Sequence, residues 1–282
     1  MLPVLLDFGF IKLYTFGVFV VLGFFWGLFL LWKLIVLTSY KEEDIFDGVF
    51  VGLIGGLIGA RLMYVWLNFS LFGFNILKII LVNGYPGFFL YAGLGSGFLC
   101  FFLFIRSKKI PFIKVIDYGM PGLFLALAFM KFGAFLSGSE IGSPTNFFLK
   151  MIYVGQKESR HLTGIYEGIF FIIGAYCVQR ILFLVRREKL PHGFGWYFFI
   201  SFFSLAYLLL DKIKAHPLYF VGFSVNFGIS LLLVVFFFLY FLVFFHRIIF
   251  KNIQLLFISL EKYAAKIIKK ATRRPEKKAH TR

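Results

Sequence analysis

Eight ionisable residues, Arg61, Asp117, Lys131, Glu140, His161, Glu167, Asp211 and Lys214, fall inside or at the ends of long apolar runs. An ionised side chain in hydrocarbon costs about 2.5–3.5 kcal/mol on insertion scales, so each of them needs a partner or a wet cavity. A single case is most often a snorkelling side chain or a satisfied ion pair. Several facing one cavity imply chemistry: ammonium and guanidinium groups grip phosphate, carboxylates orient them, and a histidine or tyrosine holds a proton. Such a set suits a phospholipid head group whose acyl chains lie between helices. The alternative is a scatter of unrelated interfacial charges.

The elements that position these residues follow from composition. In 282 residues, 60% are hydrophobic, 22% aromatic and only 15% charged, which excludes a soluble globule. Hydrocarbon about 30 Å thick is crossed by roughly 20 apolar residues in a helix, the fold that pairs every backbone amide internally. The sequence predicts an all-α, polytopic membrane protein of about seven transmembrane helices, at 13–37, 45–69, 87–106, 112–136, 163–185, 194–211 and 221–246. Between the second and third, Leu71 to Val82 is too short to span and reads as a re-entrant or interfacial helix. The second span carries Gly52, Gly55, Gly56 and Gly59, a pattern for close helix packing. The chain's first apolar run has no basic stretch before it and outlasts a signal-peptide core, so it reads as a retained first helix. Cys100 and Cys177 each sit in an apolar run, with no disulfide framework and no metal-ligand spacing. No metal and no other cofactor is expected.

The net charge of +17 is concentrated toward the C-terminus, which argues for anionic lipid rather than nucleic acid as its partner. A transmembrane domain over 1–246 is followed by a basic tail over 247–282, where Ile249, Ile253, Phe257 and Leu260 alternate with Lys251, Lys262 and Lys266. That spacing predicts a helix lying along the inner leaflet; a merely solvated tail is the alternative. Arg106, Lys108, Lys109, Lys114, Arg180, Arg186, Arg187, Lys189 and the tail share one side if there are seven spans, which predicts a cytoplasmic C-terminus and an outside N-terminus. Arg61, Tyr91, Lys131, Glu140, His161 and Lys214 then gather toward the outer face.

Four segments in order resemble the prolipoprotein diacylglyceryl transferase family of bacterial inner membranes. Gly59-Ala60-Arg61-Leu62-Met63-Tyr64-Val65 is similar to its Gly-Ala/Gly-Arg-Leu-x-Tyr-Val element, and Tyr91-Ala92-Gly93-Leu94 stands where the family has His-Gly-Gly-Leu. Lys131-Phe132-Gly133-Ala134-Phe135-Leu136-Ser137-Gly138-Ser139-Glu140-Ile141-Gly142-Ser143-Pro144-Thr145, preceded by Asp117 and Pro121, resembles Gly-Arg-x-Gly-Asn-Phe-x-Asn-Gly-Glu-x-x-Gly-x-Pro-Thr. Arg160-His161-Leu162-Thr163-Gly164-Ile165-Tyr166-Glu167 resembles Arg-His-Pro-x-Gln-x-Tyr-Glu, and Tyr14 to Gly17, Asp211 and Lys214 extend the likeness. The departures are Lys131 and Lys214 for arginines, Tyr91 for histidine, Ala134 and Ser137 for asparagines, and Glu140 one residue late with Ser139 in the aligned position.

The resemblance implies transfer of diacylglyceryl from phosphatidylglycerol to the cysteine thiol of a prolipoprotein, recognised at its signal-peptide region, without metal or nucleotide. It implies catalytic roles for Tyr91, Lys131, His161 and Lys214, and substrate binding by Tyr14, Arg61, Ser139, Glu140, Gly142, Arg160, Tyr166 and Glu167. Lysine lacks the bidentate fork of arginine, which keeps open a catalytically inert, lipid-binding relative. A transporter ranks behind both, because the halves show no internal repeat.

Overall fold

The computed structural model describes residues 2–8, 12–82, 84–215, 219–220 and 223–243. Among the described residues, seven helices are long and apolar enough to cross a membrane. They are α1 (Thr15–Ile35), α2 (Glu42–Leu67), α5 (Leu90–Ser107), α6 (Phe112–Ser137), α7 (Thr163–Arg186), α8 (Phe194–Leu210) and α9 (Val225–Val243), with α3 (Phe69–Phe72) and α4 (Ile76–Ile80) between α2 and α5. The chain is a multi-pass helical membrane protein, and the expected spans agree with these to within a few residues. The expected end of the seventh span at 246, the domain boundary after it and the inner-leaflet helix lie outside the described residues.

Glycine sets how closely the helices approach. A Cβ on Gly52 would stand 3.0 Å from the carbonyl oxygen of Gly97, and one on Gly56 3.0 Å from that of Gly93, so the glycine stripe of α2 packs backbone to backbone on a second stripe in α5. Gly27 of α1 and Gly122 of α6 meet in the same way. Helix α6 is the axis, carrying Ile116, Met120, Phe124, Leu127 and Ala128 into a core with Phe171 and Val178 of α7 and Phe199, Phe203, Ala206 and Tyr207 of α8.

Asp117 belongs to this framework. Its carboxylate accepts hydrogen bonds from the backbone amides of Gly193, at 2.7 Å, and Trp196, at 3.0 Å. These amides have no carbonyl partner within α8, at whose start the helix dipole favours a negative charge. Asp117→Ala is therefore expected to lower stability by about 1–3 kcal/mol, with Asp117→Asn recovering part of the loss; thermal denaturation of the detergent-solubilised protein measures it, and an unchanged midpoint would contradict the capping role.

Alternation of the spans puts three small antiparallel hairpins of the described residues at one end: β1 (Val4–Asp7) with β2 (Lys12–Tyr14), β3 (Lys150–Ile152) with β4 (Ser159–His161), and β5 (Tyr219–Phe220) with β6 (Phe223–Ser224). Their two to four residues are too short to show period-two patterning, so an all-helical reading passes over them. The single helix expected over Leu71 to Val82 is instead the pair α3 and α4, broken where Gly73 takes a positive φ of 55°.

Candidate functional site

At the hairpin end of the bundle, four charged side chains join in one chain of ion pairs. Lys131, 2% exposed on the last turns of α6, places its Nζ 2.6 Å from Oε1 and 2.8 Å from Oε2 of Glu140 and 2.6 Å from Oε2 of Glu167. Glu167, fully buried on the first turns of α7, meets the Nζ of Lys214 with its other oxygen at 2.7 Å. Two ammoniums thus share two carboxylates, and this mutual pairing is what makes four charges tolerable at the membrane. Burial pushes the Glu140 carboxyl up, but the Lys131 and Lys214 ammoniums outweigh it and hold the group below the usual carboxylate range. A depressed value means that the pairing contributes fully above the unfolded carboxylate range and is lost only on acidification beneath it.

The floor of the cluster is Tyr207 of α8, whose ring centre lies 4.6 Å from Lys214 Nζ and 5.4 Å from Lys131 Nζ. The Tyr91 ring packs on Tyr207 and Phe203, each at 5.7 Å. Its hydroxyl shares a hydrogen bond with Ser230 of α9, and Asp211 takes hydrogen bonds from Ser224 and from Asn226, at 3.3 Å for the latter, tying the end of α8 to α9.

The segment that carries Glu140 is strapped on both sides. The amide of Ser143 donates to the carbonyl of Ile213 at 2.7 Å and that of Ala215 to Ile141 at 3.0 Å, while the amide of His161 donates to Ser143 at 3.1 Å. Gly142 pairs with Lys214 and Pro144 with Arg160 as isolated bridges. A Cβ at Gly142 would stand 2.8 Å from the Cβ of His161, so only glycine lets the strap lie flat on β4. Arg160 Nη1 bonds the Gly142 carbonyl at 3.0 Å and Tyr166 Oη bonds the Leu149 carbonyl at 2.6 Å, so both hold the loops. The ring of His161 lies between those of Phe147 and Tyr166, each 6.1 Å away, and its buried Nδ1 has no hydrogen-bond partner among the described residues.

The sequence-predicted residues thus divide. Lys131, Glu140, Glu167 and Lys214 meet directly, and Tyr91 joins them through Tyr207. Arg61 stands apart, because four of its five N–H donors go to the carbonyls of Lys78, Ile79, Tyr85 and Gly87, at 2.7–3.1 Å. It clamps the segment holding α4. Tyr14 is 61% exposed at the start of α1, and Ser139 bonds Ser137 at 3.1 Å beside the cluster. Tyr207 joins the cluster without belonging to any of the sequence motifs. Its signal is a spacing of four and then three to Asp211 and Lys214, hidden in a run where phenylalanine dominates.

Comparison with known proteins identifies the family. A family model described as prolipoprotein diacylglyceryl transferase matches residues 3–243. The chain is similar to phosphatidylglycerol–prolipoprotein diacylglyceryl transferases of Clostridium tetani, 27% identical over 77% of this chain and 87% of that protein. It is likewise similar to those of Streptococcus sanguinis, 25% identical over 82% and 91%, and of Clostridioides difficile, 26% identical over 74% and 81%.

Proposed function

The chain belongs to the prolipoprotein diacylglyceryl transferase family, and we propose on that premise that it moves the diacylglyceryl group of phosphatidylglycerol onto the thiol of a prolipoprotein cysteine. The observation that carries this reading is the ion-pair chain Glu140–Lys131–Glu167–Lys214 at one end of the bundle, buried at its centre on Lys131 and Glu167. In the reaction a cysteine thiolate attacks the glyceryl carbon bearing the phosphate ester. The carbon–sulfur bond forms as the carbon–oxygen bond breaks, and glycerol phosphate departs with the electron pair. The phosphate begins as a monoanionic diester and leaves as a dianionic monoester, so charge grows beside whichever cations hold it. Lys131 and Lys214 fill that role.

The thiol proton needs an acceptor, since the thiolate is the nucleophile. His161 is the better placed, with its buried Nδ1 unengaged among the described residues, whereas the Tyr91 hydroxyl is already shared with Ser230. Arg61 acts through the segment it clamps, and Glu167 by fixing both ammoniums. The hairpin end faces outward, where the prolipoprotein signal-peptide region arrives, and the basic tail lies on anionic lipid inside the cell.

The test is expression in cells depleted of their own transferase. Thioether lipidation of a prolipoprotein, followed by mass spectrometry of its N-terminal peptide, is the expected result. Unmodified prolipoprotein with the protein present in the membrane would replace this reading with that of an inert lipid-binding relative.

A further inference from the structure

Tyr207 presents a buried polar atom that no hydrogen bond among the described residues uses. The residue is 3% exposed, and the rings of Tyr91, Phe171 and Phe203 surround it at 5.7, 6.4 and 4.9 Å. Its hydroxyl has no hydrogen-bond partner among the described residues. The polar groups around it are engaged: Tyr91 with Ser230, Asp211 with Ser224 and Asn226, and each oxygen of Glu167 with an ammonium. Leaving a hydroxyl unpaired in such a place costs about 1–3 kcal/mol. Phenylalanine would keep the ring and both cation–ring contacts without that cost, and α8 uses phenylalanine at 198, 199, 202 and 203.

We propose that the Tyr207 hydroxyl is a substrate-directed hydrogen-bond donor that points at a non-bridging oxygen of the lipid phosphate held over Lys131 and Lys214. This rests on the transferase reading and adds a group to it. A neutral donor aimed at an oxygen whose charge grows during carbon–oxygen cleavage stabilises the transition state more than the bound lipid. Its loss therefore falls on kcat rather than on KM.

The experiment compares wild type, Tyr207→Phe and Tyr207→Leu, purified in detergent and supplied with phosphatidylglycerol and a cysteine peptide. Tyr207→Phe is expected to lower kcat about 10²-fold, with KM for the lipid within about threefold of wild type and an unchanged melting temperature. Tyr207→Leu, which also removes the floor beneath the ammoniums, is expected to lower both kcat and the melting temperature. A Tyr207→Phe enzyme within twofold of wild type overturns the proposal. Glycerol phosphate, the dianionic product, gives a readout that does not need turnover: Tyr207→Phe should bind it about tenfold more weakly by calorimetry. Equal binding by the two proteins overturns the proposal. An inactive wild type that still shows this difference overturns the transferase reading alone.

Discussion

Glu167→Gln is expected to be among the most destabilising single substitutions in the protein. The carboxylate is fully buried and stands between two ammoniums, 2.6 Å from Lys131 and 2.7 Å from Lys214. Glutamine preserves volume and removes the charge, which leaves Lys214 without a carboxylate partner among the described residues and Lys131 with Glu140 alone. Breaking a buried pair from one side costs about 3–5 kcal/mol, because the surviving charge keeps its desolvation penalty and loses its compensation. For a chain of this size that lowers the melting temperature by on the order of 10 °C. The double variant Glu167→Gln with Lys214→Met should recover much of the stability, since it removes the stranded ammonium, while activity stays lost. A Glu167→Gln protein as stable as wild type would mean that water already solvates the pair, and the idea that Glu167 is a water-shielded carboxylate between two ammoniums would fall.

Much of this arrangement can be read from sequence for one energetic reason. Charges inside apolar runs are expensive, so Lys131, Glu167, Asp211 and Lys214 announce themselves, and the alternation of spans places Lys131 and Lys214 at one end. The glycine stripe of α2 is equally legible, although its partner stripe in α5 is not, because pairing between helices leaves no trace in a single chain. Side-chain commitment is the other thing hidden. Arg61 carries a motif position that suggests phosphate binding, yet its guanidinium is spent on four carbonyls of the segment between α2 and α5, a choice fixed by loop geometry. Asp117 looks like Lys131 in sequence, an ion in a span, but it caps α8 at the opposite end of the bundle. Tyr207 fails for want of contrast: where 22% of residues are aromatic, one hydroxyl among phenylalanines carries no signal until its ring is found beneath two ammoniums.

Lys131 is the residue on which activity is expected to depend most steeply. Its Nζ is held by both oxygens of Glu140, a geometry that a phosphate with two free oxygens can reproduce. The four side chains carry two positive and two negative charges, so on the proposed reading a lipid phosphate displaces a carboxylate to reach an ammonium. Glu167 is locked on a helix between two cations, whereas Glu140 follows the left-handed Gly138, lies outside any helix, and has a side chain 35% exposed. Glu140 is therefore the group that gives way. Lys131→Ala is expected to lower turnover by about 10²–10³-fold, the loss associated with removing one preorganised donor from a developing anion. Lys131→Arg should retain activity or raise it, because the planar fork grips phosphate through two hydrogen bonds where an ammonium offers a point charge. Glu140→Gln, by vacating the ammonium, should lower KM for phosphatidylglycerol several-fold. A raised KM would instead make Glu140 a substrate ligand, and neutral results for both Lys131 variants would take that lysine out of the reaction and leave the cluster a structural tie between α6, α7 and the segment that follows α8.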